Sequence, residues 1–512
     1  MLRPPLSRRR FITDAGLAAL ALRCSPLYSL ADSSTITVRT PSGTLRGEQS
    51  GGALQFRGIP FAEPPVGPLR FRAPVKIKPW TGERDATRFG ASPMQSGELG
   101  MEHSEDCLYL NIWAPAGKGP FPVYVWIHGG GFTGGHAFES MYDGSEITKE
   151  GVICISVAYR LGIFGFLDLE PLLGAEYAGS ANNGLRDLIA ALEWIQQNIS
   201  AFGGDPARVT IGGESAGAKL ADILMGVPSG RPLFHQMISE SGGAERVWPR
   251  TQSQTVAHAF GDEWHTLTGS EPATVLNAPA DKLIQAQRRF IDAWPQHFPL
   301  RCQIDGTLVP LRPVESIAAG LSRGKRLLIG TNRDESALFI GPHPQKDPVA
   351  ADLGNLQASD FSPVYKKYHE AYPQMTDEQL RIRAVTAEEY WIPSIHVADA
   401  HVKGGGSAWM YRLDFSETSG ALRGLAFHSL DVRLVWNRPS VLAENGVAEA
   451  DLAHQMHQAW TAFLRGETPA APGVPAWPQY DSINRPTMVF DTQNHVEQKP
   501  QEAELHLWDG VL

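Results

Sequence analysis

The segment Val209-Thr210-Ile211-Gly212-Gly213-Glu214-Ser215-Ala216-Gly217 runs from a β-branched stretch into glycines with a serine between them, and an apolar stretch begins at Ala218. A serine hydroxyl becomes a useful nucleophile when a tight strand-to-helix turn lifts it clear of its neighbours at a helix N-terminus. Such a turn is strained and leaves no room for side chains beside the serine, which suits glycine at 213 and 217. The bare G-x-S-x-G pattern arises by chance in a chain with 51 glycines. It is the strand before it and the helix after it that single out Ser215.

Attack on a carbonyl builds charge on its oxygen, and preorganised N–H donors aimed there are each worth about a hundredfold or more in rate. His128-Gly129-Gly130-Gly131-Phe132 follows the apolar run 123–127, and successive glycines let a backbone turn its amides toward such an oxygen. Gly130, Gly131 and Ala216 are the expected donors. A phosphate-binding loop would end in Gly-Lys-Ser/Thr, which is missing here. The nucleophile also needs a base and an acid, expected beyond it in the chain order Ser, acid, His. Glu335, Asp305, Glu315 and Asp334 compete for the acid; His428, His396, His401, His454 and His457 compete for the base. Spacing alone leaves that choice open. His454 and His457 lie i, i+3 on a helical pattern without a third ligand, which reads as an exposed polar face. With no H-E-x-x-H motif and no clustered Cys/His set, neither a metal nor an organic cofactor is expected.

The elements that must position these residues alternate along the chain. Patterning predicts strands at 35–40, 54–59, 108–113, 123–127, 152–158, 209–212, 237–239, 327–330 and 409–415, several apolar on both faces as buried parallel strands are. Leu185, Leu188, Ile189, Leu192 and Ile195 recur at helical spacing over 183–198, and Phe202-Gly203-Gly204-Asp205-Pro206 stops that helix. Further helices are expected near 377–390 and 449–464, and surface loops at 339–356 and 404–406. Alternating strand and helix gives an α/β class with a parallel sheet.

Across 512 residues, 45 Lys+Arg stand against 55 Asp+Glu, a net charge of −10. That offers no basic stripe for a phosphate backbone, so nucleic acid is not an expected partner. Residues 1–31 hold Arg3, Arg8, Arg9, Arg10 and Arg23 against Asp14, then a short apolar run at 12–22 and Ser29-Leu30-Ala31. This reads as a cleavable export leader, too short for a stable membrane anchor. Ser7-Arg8-Arg9-Arg10-Phe11-Ile12 resembles a twin-arginine signal. Cleavage after Ala31 would leave a single domain, 32–512, exported to the periplasm or beyond. Removing the leader's five arginines and one aspartate takes the net charge to −14. Three cysteines would remain, Cys107, Cys154 and Cys302, too few for a disulfide framework.

These motifs resemble the type-B carboxylesterase family, which includes bacterial para-nitrobenzyl esterases, animal carboxylesterases and cholinesterases. The resemblance covers nearly all of the chain beyond the leader. It is strongest over 202–217, in Glu105-Asp106-Cys107-Leu108-Tyr109-Leu110-Asn111, and in Gly58-Ile59-Pro60-Phe61-Ala62-Glu63-Pro64-Pro65. It implies an α/β-hydrolase fold with insertions over an active-site gorge, and a serine esterase acting on small-molecule esters. Its Gly-Thr-Asn-x-Asp-Glu segment puts the triad acid on Glu335 and its histidine motif puts the base on His428, beside Ser215. It implies a polar network of Glu214, Ser241 and Asp431 behind the triad, and structural ion pairs Arg70–Glu105 and Arg160–Asp187. Residues 243–250 and the loops near Phe339 and Trp391 are expected to line the gorge. Family members often bridge the Cys of Glu-Asp-Cys to an upstream Cys, but Phe89-Gly90-Ala91-Ser92 holds none, which leaves Cys107 unpaired. The same loop has no Trp between Thr81 and Ile112, which argues against a choline site. Two rival readings remain, a lipase preferring long acyl chains and a non-catalytic binding member of the fold.

Overall fold

The computed structural model describes residues 34–97, 102–340, 348–438 and 447–512. The expected leader and its cleavage site lie outside them. Twelve strands follow one another across a mixed sheet: β1 (Ser34–Thr40), β2 (Gly43–Ser50), β3 (Ala53–Pro60), β4 (Tyr109–Pro115), β5 (Phe121–Ile127), β6 (Ile153–Val157), β7 (Gly204–Glu214), β8 (Gln236–Glu240), β9 (Arg326–Asn332), β10 (Ser407–Leu413), β11 (Thr487–Phe490) and β12 (His495–Glu497). Their spatial order is β1-β2-β3-β4-β6-β5-β7-β8-β9-β10-β11-β12. From β6 through β11 neighbouring strands run parallel. The edges are antiparallel. All five residues of β6 and of β8 are buried, as the two-sided apolar runs predict for strands covered on both faces.

Helices cover both faces. On one, α1 (Asn183–Asn198) buries the predicted stripe of Leu185, Leu188, Ile189, Leu192 and Ile195, and α2 (Ala216–Met225) is buried along its whole length. After a short turn at Ile199–Phe202, Gly203 takes φ 81° and ends the helical path, where the sequence places its stop. On the other face, α3 (Leu430–Trp436) and α4 (Val447–Leu464) pack Leu434, Trp436, Trp460 and Phe463 against Trp126 and Leu328 of the sheet.

The sequence misjudges two elements. β7 begins at Gly204 rather than 209: Gly204 pairs with Phe121 before the register breaks ahead of Val209, so Asp205-Pro206 sits in a bulge inside the strand, not in a loop before it. The helix expected at 377–390 stays α-helical only over Asp377–Thr386, widens into a π-turn at Ala387–Trp391, and continues as Ile392–Lys403. Such widening is a recurrent feature of functional sites.

Both expected ion pairs form. Arg70 Nε donates to Glu105 Oε2 at 2.8 Å. Deeper, Arg160 donates to both oxygens of Asp187, at 2.8 and 2.7 Å, with both residues buried. Asp187 lies on α1 and Arg160 just after β6, so the pair locks helix to sheet. Replacing Asp187 by Asn should lower the unfolding free energy by about 3 kcal/mol or more, because it leaves a buried guanidinium without its counter-charge. Urea unfolding of the two proteins measures this, and coincident midpoints would show that the pair is not holding α1.

Candidate active site

β7 ends at Glu214, and Ser215 takes φ 56°, ψ −123° as the residue before α2. Its N–H donates to the Glu240 carbonyl at 2.9 Å, which ties the turn to β8. The flanking glycines are required by backbone contact. A Cβ on Gly213 would overlap the Ile127 carbonyl, and one on Gly217 would overlap both that carbonyl and the His128 carbonyl. The turn is therefore pressed against the end of β5, where the glycine loop begins. A Cβ on Gly129 would lie 3.2 Å from Ser215 Cβ, so the loop runs beside the serine. Gly130 and Gly131 follow with φ 108° and 62°, and Ala216 is the first residue of α2.

His428 lies in the loop after β10, just before α3. Its Nδ1 is 2.6 Å from Glu335 Oε2. The other Glu335 oxygen accepts from Ser241 Oγ at 2.5 Å and from the Asn332 N–H at 2.7 Å, so this fully buried carboxylate is held on both oxygens. Asp431 accepts from Asn332 Nδ2 at 3.1 Å and Tyr411 OH at 2.6 Å. The competing acids are engaged elsewhere. Asp334 pairs with Arg333 at 2.8 Å, Asp305 accepts from Asn182 at 3.0 Å, and Glu315 is exposed. So are the competing bases. His396 faces Glu245, His401 faces Ser322, and His454 is exposed. His457 is a correction to the sequence reading: it is buried, with Nδ1 2.8 Å from the Val435 carbonyl. Among the described residues no group of three or more His, Cys, Asp or Glu is placed to hold a metal ion.

The sequence did not anticipate what stands on the other side of the imidazole. His428 Nε2 is 3.0 Å from Glu214 Oε1, and Ser429 Oγ donates to the same oxygen at 2.5 Å. Glu214 is thus in front of the base, not behind it. Among the described residues no hydrogen bond joins Nε2 to Ser215 Oγ; contacts of that kind often tighten only with substrate bound. Burial disfavours the imidazolium, but Glu214 and Glu335 outweigh it and hold the His428 pKa above the ordinary imidazole value. Burial pushes the Glu214 carboxyl up to about 7, against the pull of His428 and Ser429. Asp431 is raised to about 6 by burial and by Glu335. Phe339 and Tyr390 flank the imidazole, ring centroids 5.0 and 4.7 Å away, and Phe298 would meet a Cβ on Gly131 at 2.6 Å. The pocket beside His428 is therefore walled by aromatic rings.

The sequence profile of the carboxylesterase family matches residues 34–508. The chain belongs to the carboxylesterase family. It is 35% identical to the para-nitrobenzyl esterase of Bacillus subtilis (strain 168), over 91% of this chain and 96% of that protein. It is 33% identical to the fumonisin B1 esterase of Sphingopyxis macrogoltabida, over 91% and 88%. A solved para-nitrobenzyl esterase superposes with a TM-score of 0.81 at 33% identity, covering 92% of this chain and 99% of the other. A Geobacillus stearothermophilus carboxylesterase gives the same score, identity and coverage. The mixed sheet with its flanking helices is the α/β-hydrolase fold, and this family member is a carboxylic-ester hydrolase. Its departure from the family's usual bridge is visible in the structure: Cys107 is free and buried, as are Cys154 and Cys302.

Of the three loop glycines of this carboxylesterase, Gly130 has the least tolerance for a side chain, because a Cβ there would overlap the Gly134 carbonyl at a φ that L residues avoid. Gly130→Ala should cost at least about a hundredfold in kcat/KM, the worth of a misplaced oxyanion donor. Circular dichroism and a thermal melt on the same samples separate loop distortion from unfolding, and near-normal kcat/KM would exclude this loop from the oxyanion site.

Proposed function

We propose that this esterase hydrolyses carboxylic esters through an acyl-enzyme on Ser215, with His428 as base, Glu335 as its acid partner, and the amides of Gly130, Gly131 and Ala216 as oxyanion donors. The observation that carries the reading is the 2.6 Å contact of His428 Nδ1 with a buried, doubly anchored Glu335, beside the strained turn of Ser215. His428 accepts the Ser215 proton as Ser215 Oγ attacks the ester carbonyl, and the three amides receive the charge on its oxygen. Collapse expels the alcohol, protonated by His428. Water, deprotonated by the same imidazole, then releases the acid and restores the hydroxyl. Glu335 keeps Nδ1 protonated so that Nε2 is the basic nitrogen, and stabilises the imidazolium without taking its proton. Ser241 and Asn332 fix Glu335, while Asp431 braces Asn332 from the other side.

The aromatic rings flanking His428 support small or medium apolar esters as substrates. A net charge of −14 on the mature chain gives weak support for neutral esters over polyanions. On para-nitrophenyl esters, Ser215→Ala and His428→Ala should each lower turnover by roughly a millionfold, and Glu335→Gln by roughly ten-thousandfold. Labelling by a fluorophosphonate should disappear in Ser215→Ala. Persistent labelling, or wild-type turnover in Glu335→Gln, would remove that residue from the role given it. The same ester panel tests the lipase alternative, which needs a steep preference for acyl chains beyond about twelve carbons together with interfacial activation.

Residues 1–31 are proposed as a twin-arginine export leader and 32–512 as one catalytic unit. Support comes from the arginine-rich start and the small-residue end of that segment. Arg8→Lys with Arg9→Lys should leave active enzyme in the cytoplasm of a bacterial host that otherwise exports it. Undiminished export, measured as esterase activity in the cell fractions, would rule out the twin-arginine route.

A further inference from the structure

Ser429 follows the base directly and adopts φ 67°, ψ 8°, a left-handed conformation that a side chain enters only at a cost. Glycine would enter it freely, so the serine adds strain while supplying a hydroxyl. That hydroxyl and His428 Nε2 meet at one atom, Glu214 Oε1, at 2.5 and 3.0 Å. Among the described residues they are the two groups within hydrogen-bonding distance of it.

We propose that Ser429 is a positioning residue of this esterase: by donating to Glu214 Oε1 it governs how firmly His428 Nε2 is held toward Glu214 rather than released to Ser215. The inference rests on the proposed role of His428 as the base for Ser215. The remaining ionisable groups that face Glu214 are the carboxyls of Glu139, Glu240, Glu335 and Asp431 and the phenols of Tyr142, Tyr159 and Tyr390. None of them donates to its Oε1. Those that face His428 are Glu214, Glu335 and Asp431, together with the Tyr390 phenol, whose ring lies against the imidazole. The carboxyl neighbours can only disfavour a second negative charge, so the Ser429 hydroxyl is the neutral donor that favours ionised Glu214. Without it Glu214 takes up a proton more readily, the negative charge beside Nε2 falls, and the imidazolium loses part of its support. His428 then gives up its proton at lower pH. Glu214 and His428 interact strongly enough that their titrations are a property of the pair, so the effect of Ser429 must vanish when Glu214 can no longer ionise.

The test uses the full-length enzyme with labelled histidine, following the His428 titration by NMR and the acidic limb of kcat/KM. Ser429→Gly should move both to lower pH by roughly half a unit. Glu214→Gln should move them further in the same direction, and adding Ser429→Gly to Glu214→Gln should change nothing more. Ser429→Gly should melt no lower than wild type, since glycine suits the backbone there, and Ser429→Ala should reproduce the pH shift. A Ser429→Gly profile superimposed on wild type, or displaced to higher pH, would overturn the proposal. So would a shift that persists undiminished without the Glu214 carboxylate. Repeating the NMR titration in Ser215→Ala protein reads the Ser429–Glu214–His428 coupling without turnover, so a failure of the esterase mechanism and a failure of this inference appear separately.

Discussion

The site depends on one close approach of backbone to backbone, that of the Ser215 turn to the end of β5. Gly213 and Gly217 leave no space between the turn and the Ile127 and His128 carbonyls, and parallel pairing of β7 with β5 brings Gly213 opposite Ile127. Because the glycine loop leaves β5 at that same point, pressing the two segments together sets Ser215 beside residues 129–131 with no separate device to align them. The strained Ser215 conformation persists because strand pairing on one side and α2 on the other over-determine it. The geometry also explains why the chemistry gathers at the carboxyl ends of the strands: β5, β7, β8 and β9 all run in one direction and end there.

A second constraint is electrostatic. Glu214, Glu240, Glu335 and Asp431 are all buried within this small region, and so many carboxylates could not all ionise there. The structure resolves this by unequal support. Glu335 has two hydrogen-bond donors on one oxygen and the imidazole on the other. Glu240 has the Trp460 indole on one oxygen, and burial and Asp431 push it well above the usual carboxyl range. Burial raises Glu214 to about 7 and Asp431 to about 6. The carboxyl with the most hydrogen-bond support is thereby the one against the His428 imidazole.

Much of this was legible in the sequence because it follows from local rules. The parallel strands announced themselves as two-sided apolar runs, α1 by its 3.6-residue stripe, and the tight turn at Ser215 by glycines in a strand-to-helix context. Glu335 and His428 were not legible from spacing, since their partnership spans 93 positions and several acids and histidines satisfy the same chain order; family resemblance was needed to choose between them. Glu214 in front of the imidazole and the Ser429 bond to it were missed for a related reason. Their contact joins residues 215 positions apart, and the one local sign was a serine immediately after the base. The bulge in β7 escaped because Asp205-Pro206 carries the same composition in a bulge as in a loop.

The π-turn at Ala387–Trp391 shows how a feature with no sequence signature can still be tied to the nucleophile. Lys219, one helical turn beyond Ser215 on α2, donates to the carbonyls of Gly242 and Glu389 at 2.9 Å each. Its ammonium is 3.3 Å from Glu389 Oε1 and 4.7 Å from the centroid of the Tyr390 ring. Arg246 grips the same carboxylate. Burial would raise the Glu389 carboxyl, but Arg246 and Lys219 outweigh it and hold it down at about 2. Buried ion clusters of this kind contribute little net stability, because desolvation offsets their attraction. What they supply is a fixed geometry. The widened turn lets Glu389 reach the two cations while the adjacent Tyr390 ring stays against His428. Through Lys219 the helix that follows Ser215 therefore also fixes the aromatic ring against His428, which ties Ser215, His428 and Tyr390 into one unit.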